Sequence, residues 1–169
     1  MAVTADLGLS ASVYQTKSQD LTTTEDQLSF RRGVHLTSGT GAGKADRVFH
    51  DQRTLAASSS EDLDLAGVLT DAFGASLTFV RIKGLFISAA ATNANNVVVG
   101  AAASAPWVTL LNSTGTLTLR PGASFGVMSG VADATGMALT ATTADLLKVA
   151  NSGAGTSVVY DIVIIGASA

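Results

Sequence analysis

Short apolar runs recur along this chain, each closed by Gly, Asn, Asp or Ser, and no segment between them sustains the 3.6-residue period of an amphipathic helix. The runs fall at 28–36, 47–55, 63–65, 77–87, 96–99, 107–111, 116–119, 124–128, 146–149 and 157–165. In the first, Leu28, Phe30, Arg32, Val34 and Leu36 stand two apart and share one strand face, interrupted by an arginine. Around 116–120, Leu117 and Leu119 oppose Thr116, Thr118 and Arg120, the alternation of a sheet with one wet face. Many short strands without intervening helices predict an all-β fold, an antiparallel β-sandwich of jelly-roll-like form. The segment 64–73 has room for one helical turn, but Gly67 and Gly74 oppose a longer helix.

Residues 1–24 read differently. They are rich in Ser, Thr, Gln and Asp, and Leu7, Leu9, Val13, Tyr14 and Leu21 are scattered apolar anchors without a sustained period. This predicts an extended N-terminal arm over 1–24 and a sandwich domain over 25–169. The glycine-rich stretch 37–44 reads as a flexible connection.

A chain of 169 residues buries roughly 70% of its unfolded surface, enough for a core without staples, and there is no cysteine to supply any. The net charge is −3 and the ten Lys and Arg residues form no run, which argues against a nucleic-acid partner. No basic-then-apolar leader is expected at the N-terminus. No apolar stretch approaches the ~18 residues of a membrane-spanning helix, and the nearest, 158–165, contains Asp161, so no membrane partner is expected. Only 14% of residues are charged, against about 25% in an ordinary domain. Beyond Gly84 the charged side chains are Arg120, Asp133, Asp145, Lys148 and Asp161 alone. A surface that poor in charge invites cover by another subunit, which predicts a homo-oligomer, a trimer by preference.

Motifs of catalysis are present only in imitation. Gly122-Ala-Ser124-Phe-Gly126 matches a nucleophile elbow, yet the two histidines, His35 and His50, both precede it, and its flanks read as strand. The stretch 38–45 imitates a phosphate-binding loop, but Ser38 takes the first glycine position and Ala45 replaces the hydroxyl that would hold Mg²⁺. Glu61, Asp62 and Asp64 are carboxylates of the kind that suit Ca²⁺, but their alternation fits a solvated strand edge better. Asn112-Ser113-Thr114 reads as a turn. Neither enzyme activity, metal nor cofactor is expected.

The candidate interface residues are therefore Leu7, Leu9, Val13, Tyr14 and Leu21 on the arm, Arg31 and Arg32 on neighbouring faces of the first strand, and Trp107. Trp107 follows Pro106, where its ring either completes the core or anchors a partner.

The segments 48–58, 61–67, 69–74, 120–122, 143–156 and 160–169 together resemble a family of uncharacterised virion proteins of tailed bacteriophages, whose members are often encoded near the major capsid protein. The similarity spans most of the chain from about residue 48 and departs across 1–35 and 88–118. It implies a head-associated role in the virion, as a capsid decoration protein or the base of a head fibre. The chain would then be made in the host cytoplasm, with the major capsid protein or other virion proteins as partners. The alternative is a jelly-roll module of a tail or fibre that binds host-surface glycan through Trp107 or the Asn-rich loop at 93–96.

Overall fold

The computed structural model describes residues 2–169 and is built from strands, with no helix among the described residues. The strands are β1 (Ala5–Ser18), β2 (Thr23–Ser38), β3 (Lys44–Ala45), β4 (Arg47–Leu55), β5 (Ser60–Asp64) and β6 (Arg81–Ala89). They continue with β7 (Val97–Gly100), β8 (Thr116–Leu119), β9 (Ser124–Met128), β10 (Met137–Ala138), β11 (Leu146–Asn151) and β12 (Val158–Ala167).

Two sheets form the body. One has the order β10-β6-β12-β4 with β9 also paired to β6, and the other the order β5-β11-β7-β8. Every pairing within them is antiparallel. With short β10 set aside, the eight body strands in chain order are β4 to β9, β11 and β12. One sheet then runs first-eighth-third-sixth and the other second-seventh-fourth-fifth, the double Greek key of a jelly roll.

Side-chain alternation explains the layers. On β12, Val158, Tyr160, Ile162 and Ile164 point between the sheets into the main core, where they meet Phe79, Ile87, Val97 and Val149. The alternate residues Val163 and Ile165 point outward into a second, smaller core. A strand covered on both faces reads as a nearly continuous apolar run, which is the sequence of 158–165. At Gly166 the pairing with β6 slips, so that Ile165 faces Gly84 while Gly166 faces Ile82. Lys83 is the bulged residue. It is buried, and its Nζ donates to the carbonyl of Asp133 at 2.6 Å, which pins the 129–136 loop to the sheet.

The smaller core is the seat of the N-terminal segment. Residues 5–18 form a regular strand, paired without interruption to β2 from Ala5↔Leu36 to Ser18↔Thr23. The arm is therefore a two-stranded hairpin spanning 5–38, and a boundary at residue 24 would cut it at its turn, where Gln19 N donates to the carbonyl of Thr22 at 2.8 Å. Nor is its base free of the core: Val3, Leu7, Val34 and Leu36 pack with Ala45 and Ile165 over Val48, Phe86, Met128 and Val163. From Gly8 to Gly33 the hairpin is exposed, projecting about 35 Å at ~3.4 Å per residue.

Two further expectations are corrected. Residues 107–111 are turns rather than a strand: Pro106 makes one bridge to Leu146, and the apolar side chains close the core from a loop. Residues 65–74 form turns stabilised by Asp64, which accepts from Ala66 N, and by Asp71, which accepts from Phe73 N and Ala75 N.

Candidate interface on the projecting hairpin

Strict alternation on two paired strands sorts the hairpin into two faces. The register places on one face the rows Leu7·Val34, Leu9·Arg32, Ala11·Phe30, Val13·Leu28 and Gln15·Asp26. On the other face lie Asp6·His35, Ser10·Arg31, Ser12·Ser29, Tyr14·Gln27 and Thr16·Glu25. The first face is an apolar stripe whose base covers the body's outer sheet and whose outer half covers nothing. There Val13 is 52% exposed, Leu28 56% and Phe30 44%. Large apolar side chains held out on a projecting ribbon mark a contact surface.

The polar face is laced by its own contacts. His35 Nδ1 lies 2.7 Å from Asp6 Oδ1. The Glu25 carboxylate beside Tyr14 raises the phenol above its ordinary pKa. On the apolar face the Arg32 guanidinium stands over the Phe30 ring, 4.6 Å from its centroid, and donates to the carbonyl of Arg31 at 2.8 Å. That stacking holds a positive charge at the inner end of the stripe.

Of the sequence-derived interface residues, Leu9, Val13, Tyr14, Leu21, Arg31 and Arg32 are exposed on the hairpin, with Leu21 at its tip. Leu7 and Trp107 are not available. Leu7 is buried in the smaller core, and Trp107, 5% exposed, packs in the main core with its Nε1 donating to the carbonyl of Ala138 at 3.0 Å. Sequence reading missed Leu28 and Phe30 as contact residues because a period-2 apolar strand is ordinarily core. The clue was Arg32 on the same face.

The catalytic imitations have structural occupations. Ser124 opens β9, where its Oγ lies 2.8 Å from Ser88 Oγ across the β6 pairing. The glycine-rich stretch 39–43 is the tight connection from β2 to β3, with Gly39 and Gly43 at positive φ. Glu61 faces a cleft of about 370 Å³ between the β4 and β5 edges, but its carboxylate is engaged. Arg53 donates to Oε2 through Nε at 2.8 Å and Nη2 at 2.5 Å, and Tyr160 Oη donates to Oε1 at 2.7 Å. Burial, then the Glu61 contact, pushes the Tyr160 phenol well up, and Glu61 likewise raises the Arg53 guanidinium. Among the described residues no three His, Cys, Asp or Glu side chains are grouped to hold a metal ion. The Asn-rich loop serves the fold: Asn93 pairs both its amide atoms with the backbone of Val159, and Asn95 donates to the carbonyl of Thr156.

Comparison with known proteins returned no matching family model, no matching curated protein and no matching solved structure.

Proposed function

We propose that this chain is a non-enzymatic structural protein of a tailed-phage virion, decorating the head or forming the base of a head fibre. The observation that carries the reading is the hairpin, a ribbon anchored in the body at Leu7, Val34 and Leu36 whose outer apolar face no described residue covers. The jelly-roll body supports it by analogy of fold, since such double Greek keys build viral capsids as well as lectins and cupins. The family resemblance of residues 48 onward points the same way.

In this reading the protein acts through contact area. The arm engages the major capsid protein or a neighbouring virion protein, and the body stands on the head surface of a particle assembled in the host cytoplasm. Many copies of a modest contact add interface free energy to the shell. The copies associate as a homo-oligomer, which gives the charge-poor surface of residues 84–169 its cover. The glycan-binding alternative is weaker, because Trp107 is in the core and Asn93 and Asn95 are occupied by backbone groups.

The test is proteomic and then structural: mass spectrometry of purified virions, followed by binding of the purified chain to isolated heads. Stoichiometric presence with head binding weakened by Leu28→Asp is expected. Absence from virions overturns the proposal, and binding to tails or to host glycan in place of heads transfers it to the alternative.

A further inference from the structure

Two exposed apolar features stand on opposite rims of one sheet, and from their fit to each other we infer that the arm of each copy lies across the β4 rim of the next, joining copies head to tail in a closed ring. This rests on the homo-oligomer part of the reading above and names a second copy as the arm's neighbour; it does not depend on the virion part.

The path of the N-terminal segment fixes the geometry. Ala2, Val3 and Thr4 lie beside Val48 and His50 of β4. Leu7 is seated over Gly84 of β6, and Leu9 Cδ2 would stand 3.6 Å from a β-carbon on Gly126 of β9. The segment thus crosses the outer face of the sheet from β4 to β6 to β9 and leaves it past the β9 edge. The face that covers the sheet at Leu7 and Leu9 continues beyond that edge as the uncovered rows Ala11·Phe30 and Val13·Leu28. The opposite rim, at β4, carries the loop that leaves β5, where Val68 is 75% exposed and Phe73 81%. Phe73 flanks a groove of about 320 Å³ that Ala2, Val3 and Val48 make largely apolar. Next to it, the cleft between the β4 and β5 edges is lined by five carboxylates, Asp51, Glu61, Asp62, Asp64 and Asp71, against one guanidinium, Arg53.

A neighbour set with its β4 rim against this copy's β9 rim meets the arm's features in matching order. At the rim itself stands Arg32, opposite Leu9, with no carboxylate within ion-pair distance among the described residues; it meets the neighbour's acidic cleft. Farther out come Phe30, Val13 and Leu28, which meet Val68, Phe73 and the apolar groove. Cation falls on acid and apolar on apolar in one placement, and the arm's base stays seated on its own body. Because the two surfaces differ, the contact is heterologous, and such contacts make rings when the rotation closes. Three copies is the number expected from composition. From Ser10 outward the free face covers about 30 Å by 10 Å before side-chain relief. A ring member both gives and receives an arm, so it leaves only by breaking two such contacts, together approaching the roughly 800 Å² per partner of a standard interface.

Sedimentation velocity on the full chain from about 1 to 200 μM should show a closed oligomer, a trimer. Leu28→Asp on the arm and Phe73→Asp on the rim should each raise its dissociation constant at least about tenfold. Arg32→Asp should do the same, and adding Asp62→Arg to that chain should recover assembly; the two positions lie at opposite rims of one copy, so recovery reads the contact between copies. Val108→Asp, at an exposed apolar side chain of the 107–111 loop, should change nothing, and far-UV circular dichroism should be the same for all. The chain has no cysteine, so a short bis-maleimide should link Leu28→Cys copies to Phe73→Cys copies and neither to itself. A monomer throughout the range overturns the inference, and head binding by that monomer would make the capsid the arm's occupant. An oligomer indifferent to Phe73→Asp, Leu28→Cys copies linked to one another, or a charge-swapped chain no better than Arg32→Asp alone overturns it as well. Virion occupancy is read in a separate experiment, so failure here leaves the virion proposal standing on its own result.

Discussion

Tyr160, on β12 of one sheet, donates its phenolic hydrogen to Oε1 of Glu61, on β5 of the other, at 2.7 Å. Arg53, on β4, binds the second carboxylate oxygen and also reaches Asp51 Oδ2 at 2.9 Å. Three strands from two sheets are thereby tied at one rim of the sandwich. Removing the phenol and removing the carboxylate should have unequal effects.

Tyr160→Phe deletes one buried hydrogen bond and leaves Glu61 with Arg53, a loss of about 1 kcal/mol and a Tm lower by roughly 2–4 °C. Glu61→Ala leaves the buried Tyr160 hydroxyl unpaired and the half-buried Arg53 guanidinium with Asp51 alone, at about 2–4 kcal/mol. Thermal melts near neutral pH decide the order, and an equal or smaller effect of Glu61→Ala would remove the network from the stability of the body.

Alkali should unfold the protein through the same tyrosine. Its pKa is raised in the folded state above the ordinary value of 10.0, so the protonated phenol is favoured by folding. That contribution is complete below pH 10.0 and is lost as pH climbs from there through the folded value. Denaturant midpoints measured from pH 9 to about 12 should fall for the native chain and fall less for Tyr160→Phe. Parallel pH profiles would assign alkaline unfolding to other groups.

Leu7 is seated over Gly84: a β-carbon on that glycine would stand 2.7 Å from Leu7 Cδ1. Leu7→Ala should cost about 2–3 kcal/mol, and Gly84→Val about 1–3 kcal/mol from overpacking. Combined, the larger residue occupies the space the smaller one vacates, so the double variant should be at least ~1 kcal/mol more stable than the sum predicts. Additive losses in chemical denaturation would deny the contact.

Trp107 is the only tryptophan and lies in the main core. Its emission should be blue-shifted and poorly quenched by iodide, and should move to the red on unfolding. Strong quenching in the folded protein would return Trp107 to the surface.

Ser124→Ala should leave both stability, within about 0.5 kcal/mol, and background turnover of generic esters unchanged. A native turnover abolished by the substitution would make the elbow-like motif a working one.

The strands most legible in the sequence are those whose local pattern and tertiary position agree. β4, β8 and β9 occupy 47–55, 116–119 and 124–128, the spans the apolar runs define. β12 was legible too, since cover on both faces leaves a continuous run. β1 was obscured although Ala5, Leu7, Leu9, Ala11 and Val13 do alternate with polar or small residues, because two of the five are alanine and Gly8 sits among them. Its order comes from fourteen paired positions on β2, a partner that composition does not reveal. Trp107 to Leu111 misled in the opposite sense, since a loop can fill a core gap with side chains as apolar as a strand's. In the Arg53–Glu61–Tyr160 tie the hydrogen bond from Tyr160 to Glu61 joins residues 99 positions apart, and no spacing rule brings them together.

The central place of β12, between β4 and β6, fixes when the body can form during synthesis. The arm is local: its strands adjoin in sequence, and hairpins close in about 1–10 μs. The body is not, because β4 waits for a partner that begins at Val158, while ribosomes add about 5–20 residues per second. For several seconds the nascent chain therefore displays a finished, apolar-faced ribbon beside an unclosed sandwich. A ribosome stalled before Val158 would hold β4 and β6 with their shared neighbour missing, two open edges in a state prone to aggregate.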